Sequence, residues 1–217
     1  EVWIWNTNLD ADSIRAIYNN GVPTNLKNNT GAYDEYTDNL VAYYRCGDGT
    51  LDEYPLIGDE VTPTLGSELI TNGDFSGADI TSFTFATSNI ETPVIEDGTL
   101  KIELTAAQGY TGITTGGSAD GNIYKLTGRV KVGTATNIKI RSLGHFGTWV
   151  DVTYTNTDWV SFTHYAVAGG NNGRLKFELN GSSGQTGYLD DISFKLVNGN
   201  AGMMTNMASE DIAEDTP

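Results

Sequence analysis

The sequence predicts an all-β protein: an antiparallel β-sandwich of jelly-roll type, with one short N-terminal helix and extended acidic flanks. Three observations lead there. Beyond Glu68, apolar and polar residues alternate along segment after segment, as they do in strands with one dry face and one wet face. Clusters of Gly and Asn interrupt the alternation at short intervals. Composition agrees, because 26 Gly against 5 Pro, with Thr, Asn, Ser and Tyr recurring, suits short strands and turns.

The elements follow in order. "EVWIW" (1–5) is strand-like. "NLDADSIRAIYNNG" (8–21) predicts a short amphipathic helix: Asp10 or Asp12 caps it, Ile14, Ile17 and Tyr18 share a face, and Gly21 ends it. "NLVAYYRCGDG" (39–49) predicts a strand and a turn, and the rest of 23–66 is acidic connection. The clearest strands are "GTLKIELT" (98–105), "TNIKIRSL" (136–143) and "GRLKFEL" (173–179). In the last of these, Leu175, Phe177 and Leu179 face a core while Arg174, Lys176 and Glu178 face water. Further strands are "NIYKLTGRVKV" (122–132), "TWVDVTYT" (148–155), "DWVSFTHYAV" (158–167) and "YLDDISFKL" (188–196). The turns between them include "TTGGSADGN" (114–122), "AGGNNG" (168–173) and "NGSSGQTG" (180–187).

Charge divides the chain into three. Residues 1–66 hold 11 acidic and 3 basic residues, residues 67–197 hold 13 and 9, and residues 198–217 hold 4 and 0, for a net charge of -16. A chain this acidic repels nucleic acid and anionic membranes, which need clustered Lys and Arg. The sequence has no apolar run long enough to span a bilayer. Its single cysteine, Cys46, excludes an intrachain disulfide. With no initiator Met and no signal peptide, the chain reads as a fragment or a processed product.

Two resemblances sharpen this. "EVWIWNTNLDADSIRAIYNNGVPTNL" (1–26), followed by "NLVAYYRCGDG" (39–49), resembles the closing segment of a concanavalin-like or laminin-G-like domain. The matching residues are Val2, Ile4, Trp5, Asn6, Leu9, Ile14, Ile17, Tyr18, Asn19, Asn20 and Gly21. Together with "DEYPLIGD" and the closing "GNAGMMTNMASEDIAEDTP", it is similar to one continuous segment of phage structural proteins. Residues 67–197 interrupt that segment. Their ends, "ELITNGDFSG" and "GYLDDISFKL", resemble the first and last strands of the jelly-roll carbohydrate-binding modules attached to polysaccharide-degrading enzymes. Where such modules commonly carry a Trp after the first strand, this chain has Phe83 or Phe85. The resemblance thus implies three parts: 1–66, the end of a laminin-G/concanavalin-like domain plus connector; 67–197, an inserted jelly roll; and 198–217, an extended tail. A loop insertion is cheap, since closure entropy grows slowly with loop length.

Candidate chemistry is sparse. A glycosidase needs two carboxylates about 5 to 9 Å apart, and Asp190 and Asp191, as strand neighbours, point to opposite faces. Glu96–Asp97 is a second acidic pair; His145 and His164 lack a nucleophile signature, and Cys46 lacks a histidine partner. The expectation is no enzyme and no catalytic residue. The module resemblance implies a structural calcium held by Asp74 and by Asp190 or Asp191, with carbonyls near Glu96–Gly98, and otherwise no cofactor. It also places a core Trp at position 159.

Sugar binding calls for aromatic faces and hydrogen-bonding side chains. Alternation turns Val150 and Val152 inward and leaves Trp149, Asp151 and Thr153 outward. The loop "LGHFGTW" adds His145 and Phe146, and Tyr110 and Arg141 complete the candidate carbohydrate site. The same aromatics could instead pack on a neighbouring subunit. "MMTNM" (203–207) is expected as a strand or arm completing the outer domain or docking on a neighbour, and the glycosylation patterns at Asn28 and Asn180 are silent in a phage.

The expected function is therefore a non-enzymatic phage virion surface protein, a fibre or capsid-decoration component adhering to host-surface or environmental glycan. Its partners would be other virion proteins, further copies of itself and polysaccharide, with neither nucleic acid nor membrane insertion. The alternatives are a purely structural lattice or fibre component, or an accessory carbohydrate-binding module of a secreted polysaccharide-degrading enzyme.

Overall fold

The computed structural model describes residues 1–22, 24–34, 36–46, 49–62, 64–77, 85–114, 119, 121–143, 146–148, 152–168, 174–204 and 209, with the backbone alone at 85, 86, 114, 142, 143, 146–148 and 174. The first stretch supplies β1 (Val2–Trp5), α1 (Ala11–Tyr18), β2 (Leu40–Tyr44) and β3 (Leu56–Ile57). Then follow β4 (Leu65–Glu68), β5 (Phe85–Ser88), β6 (Val94–Glu96), β7 (Thr99–Glu103), β8 (Gln108–Thr114) and β9 (Ile123–Lys131). The chain continues with β10 (Asn137–Leu143), β11 (Phe146–Thr148), β12 (Val152–Tyr154), β13 (Val160–Ala168), β14 (Arg174–Asn180), β15 (Thr186–Val197) and β16 (Gly202–Met203). These form two compact units: Glu1–Leu65 with Val197–Pro217, and Gly66–Leu196. No described helix is long and apolar enough to cross a membrane.

In the first unit, β1 and β2 pair antiparallel, with Trp3 opposite Tyr43 and Trp5 opposite Leu40. Ile17, Leu26, Tyr33, Leu40 and Tyr43 form its core. Helix α1 begins at Asp10, whose carboxylate accepts the Ser13 N–H at 2.7 Å. Asp12 is no cap; it pairs with Arg15 at 2.7 Å. Asn19, at φ 39°, ends the helix two residues before Gly21. The expected apolar face is also corrected. Ser13 and Ile17 turn inward, with the Ser13 hydroxyl donating to the Ala32 carbonyl at 3.0 Å, while Ile14 and Tyr18 are 55% and 66% exposed. The chain's last described stretch belongs here, because β16 pairs with β3. The buried Asp59 carboxylate accepts the backbone N–H groups of Tyr43, Val61 and Asn200, tying the unit's two segments together.

The second unit is an antiparallel sandwich. One sheet has five strands in the order β12-β10-β14-β8-β5; the other has seven, β11-β13-β9-β15-β7-β6 with β4 also paired to β15. Between them lies one core, in which Leu100, Leu126, Ile138, Ile140, Phe177, Leu189 and Phe194 are inaccessible to solvent. The alternating segments fall as read: Ile138 and Ile140 of β10 stand opposite Leu179 and Phe177 of β14, all inward. Strand β8 escapes the reading because glycines take apolar positions; a Cβ on Gly109 would collide with the Asn89 carbonyl. Trp159 departs from expectation as well. It lies outside the core, half-buried, with Arg129 and Lys131 5.3 and 5.1 Å from its ring centroid.

Candidate functional site

The outward face of the five-stranded sheet is built by register. Antiparallel pairing sets Lys139 of β10 opposite Glu178 of β14, and Glu178 opposite Tyr110 of β8. It likewise sets Arg141 opposite Lys176, and Asn137 opposite Asn180, which faces Gln108 in turn. Because inward positions on these strands hold the core, every one of these polar side chains shares the solvent side.

Glu178 is the centre of this face and is only 3% exposed. One carboxylate oxygen accepts from Gln108 Nε2 at 2.8 Å and Asn180 Nδ2 at 3.5 Å. The other meets Arg141 Nη1 at 3.1 Å and Lys176 Nζ at 3.4 Å. Burial pushes this carboxyl up, but Arg141, Asn180 and Lys176 more than offset that and hold it below the ordinary carboxylate value. A carboxylate saturated with donors in this way organises its neighbours; it is no proton acceptor for a substrate. The network extends sideways, since Gln108 also donates to Asn180 Oδ1 at 3.0 Å and Asn180 to Asn137 Oδ1 at 3.0 Å. Lys176 Nζ sits 4.2 Å from the Tyr110 ring centroid.

The structure therefore brings together two of the residues named from sequence, Tyr110 and Arg141, through a third, Glu178. Lys139, Lys176, Gln108, Asn137 and Asn180 were not picked out as site residues. For Lys176 and Glu178 the signal was present in the outward half of "GRLKFEL". Position 146 parts from the predicted cluster: β11 pairs with β13, so it belongs to the seven-stranded sheet rather than the sheet of Tyr110 and Arg141. Trp149, His145 and Asp151 lie outside the described residues. His164 points between the sheets, stacked on Phe162 and 3.0 Å from the Tyr154 hydroxyl through Nε2; burial lowers its pKa.

The acidic pairs are occupied elsewhere. Glu96 meets Lys101 Nζ at 3.1 Å. Asp190 and Asp191 do not diverge as strand neighbours should. A bulge between Asp190 and Ser193, with Asp191 at φ 51°, lets both carboxylates reach Arg129, at 2.5 Å to Nη2 and 2.7 Å to Nε. Asp74 and Asp191 line one open depression with Glu68, Asn72, Ser76 and Ser193. Calcium asks for six to eight oxygen ligands. Here one guanidinium pairs with both Asp190 and Asp191, and Asp74 accepts from the Ser76 N–H at 3.3 Å and hydroxyl at 3.1 Å. Glu68 is likewise taken, by the Phe194 N–H at 2.8 Å and the Ser193 hydroxyl at 2.5 Å. As arranged, Arg129 holds Asp190 and Asp191 while Asp74 and Glu68 spend their oxygens on local N–H and hydroxyl donors, so these carboxylates would have to leave their partners to hold the ion. Among the described residues no three of His, Cys, Asp and Glu converge at metal-binding spacing.

No family model matches the sequence, and no curated protein matches it. Solved structures resemble the fold. A family 61 carbohydrate-binding module in complex with β-1,4-galactotriose superposes with a TM-score of 0.45 at 10% identity, over 59% of this chain and 98% of that one. The CBM22-1 xylan-binding domain of Paenibacillus barcinonensis Xyn10C does so with a TM-score of 0.45 at 13% identity, over 62% and 97%. The enzymatically active domain of bacteriophage CBA120 tailspike protein 4 follows with 0.41 at 13%, over 60% of this chain and 21% of that one. None of these likenesses assigns a ligand to this chain.

Proposed function

We propose that the Gly66–Leu196 unit binds polysaccharide, without chemistry on it, along the outward face of the five-stranded sheet. The observation that carries this reading is the connected polar row across β8, β14 and β10. Gln108, Tyr110, Asn180, Glu178, Lys176 and Arg141 hold one another in fixed positions on the solvent side of a rigid sheet. A sugar polymer presents closely spaced hydroxyls and needs pre-oriented donors and acceptors to offset the cost of ordering it. In the wider setting the chain serves as a virion surface component, a fibre or decoration protein. What supports that setting is the likeness of residues 1–26, 39–49, 52–59 and 199–217 to phage structural segments. Repeated copies would then raise weak single-site binding by about 10²- to 10⁴-fold through avidity.

A second reading, a purely structural role in a lattice or fibre, is favoured by one observation. The first unit exposes Ile14, Tyr18 and Val22 at 55%, 66% and 54%, around one apolar depression they line with Trp3, a surface suited to assembly. Glycan-array binding by the full chain, repeated with Gln108→Ala, separates the two. Binding that the substitution weakens supports adhesion; a well-folded chain that binds no glycan and self-associates in solution leaves the structural role.

A further inference from the structure

We infer that the polysaccharide taken by this face is anionic, with carboxylates on its sugars; this rests on the polysaccharide reading above. Among the described side chains, the outward side of the five-stranded sheet carries more cations than acids, on a chain whose net charge is -16. Its described side chains include Lys139, Arg141 and Lys176 against one acid, Glu178. Arg141 and Lys176 both meet the Glu178 carboxylate. Lys139 stands directly between Glu178 of β14 and Thr153 of β12 and makes no ion pair among the described residues. The opposite sheet also carries cations, more of them matched by acids: Lys101 meets both Glu96 and Glu103, Arg129 meets both Asp190 and Asp191, Lys131 lies against the rings of Trp159 and Tyr188, and Lys125, over the Tyr165 ring, stands opposite Lys195.

Two further features point the same way. A neutral sugar would be recognised by stacking on an open aromatic face, yet Lys176 Nζ already stands 4.2 Å from the centroid of Tyr110. The ring therefore presents a cation to the ligand. The row also interleaves its charges with the amides Gln108, Asn137 and Asn180, which suits a polymer carrying one charge per sugar with hydroxyls between. Duplex nucleic acid, with a charge every ~1.7 Å of its axis, calls for a longer and denser basic stripe. The acidity of the remaining chain does not cancel the patch, because at ~0.15 M salt charges beyond ~8 Å are largely screened.

The test is isothermal titration of the full chain with oligogalacturonate, with a neutral xylan oligomer and with single-stranded DNA, at low and physiological salt. The expected result is preference for oligogalacturonate, weakened by salt and by roughly tenfold in Lys139→Gln, but unchanged in Lys195→Gln on the other sheet. Xylan bound as tightly as oligogalacturonate, or oligogalacturonate binding indifferent to Lys139→Gln, overturns the anionic assignment and leaves polysaccharide binding standing. DNA bound as tightly as oligogalacturonate also overturns it. Binding to no glycan removes both readings together.

Discussion

Asp190 and Asp191 are consecutive in the chain, yet both carboxylates close on the Arg129 guanidinium, at 2.5 and 2.7 Å. Regular pleating would send one of them through the sheet. The left-handed backbone at Asp191 inserts an extra residue into β15 and returns its side chain to the solvent side. Asp190 is nearly buried, at 8% side-chain exposure, so it depends on that cation.

Arg129→Met should therefore cost about 2 kcal/mol, because a nearly buried carboxylate loses its counter-charge. Urea unfolding measures this. The substitution keeps an unbranched apolar side chain on the strand while removing the guanidinium, so a change near zero would mean that Asp190 does not rely on Arg129.

Gly73, in the "NGDF" motif, pairs across the sheet with Ile192, whose N–H donates to the Gly73 carbonyl at 2.8 Å. A Cβ at Gly73 would overlap the Ile192 carbonyl oxygen, a backbone atom that cannot turn aside. Gly73→Ala should destabilise the unit by about 3 kcal/mol, visible as a lower denaturation midpoint. An unchanged midpoint would show that β15 can yield there.

Acid should lower the stability of the Gly66–Leu196 unit over two pH ranges. Burial lowers the His164 pKa beneath its ordinary 6.5, so the unfolded chain binds that proton more readily. The resulting stability is complete above pH 6.5 and declines as pH falls below it. Glu178 is held below its ordinary 4.5, so its contribution is full above that pH and is lost as pH falls through the lower folded value. His164→Phe should flatten the first decline and Glu178→Gln the second. Unfolding curves collected across the pH range test both, and a first decline that survives His164→Phe would assign it to another group.

Chelation should leave Tm unchanged, since Arg129 already pairs with Asp190 and Asp191, two of the three aspartates named for calcium. Thermal unfolding with and without chelator decides this. A fall in Tm on chelation, reversed by added calcium, would return Asp74 and Asp191 to the role of ligands.

Much of the sandwich is legible in the chain, and for a clear reason. Strands β7 and β10 bury every second residue, and β14 places its apolar residues at every second position, so burial prints its period directly into the letters. Strand β8 carries no such print: Gly109 and Thr111 fill inward positions where Leu or Ile would have announced the face. The sequence marks helix α1 but not its buried face, because Ser13 is sealed by a hydrogen bond to Ala32 rather than by apolarity.

The candidate site divides along the same line. Alternation within "GRLKFEL" alone puts Lys176 and Glu178 in water and Phe177 in the core. It cannot say that β10 and β8 flank β14, since those partners lie about 35 and 70 residues away in the chain, as the Arg141–Glu178 and Gln108–Glu178 separations record. Pairing register is a long-range property, settled by which inward faces fill one core together. That packing turned an outward-facing glutamate into the centre of a cationic row, and it brought Tyr110 and Arg141 to either side of it.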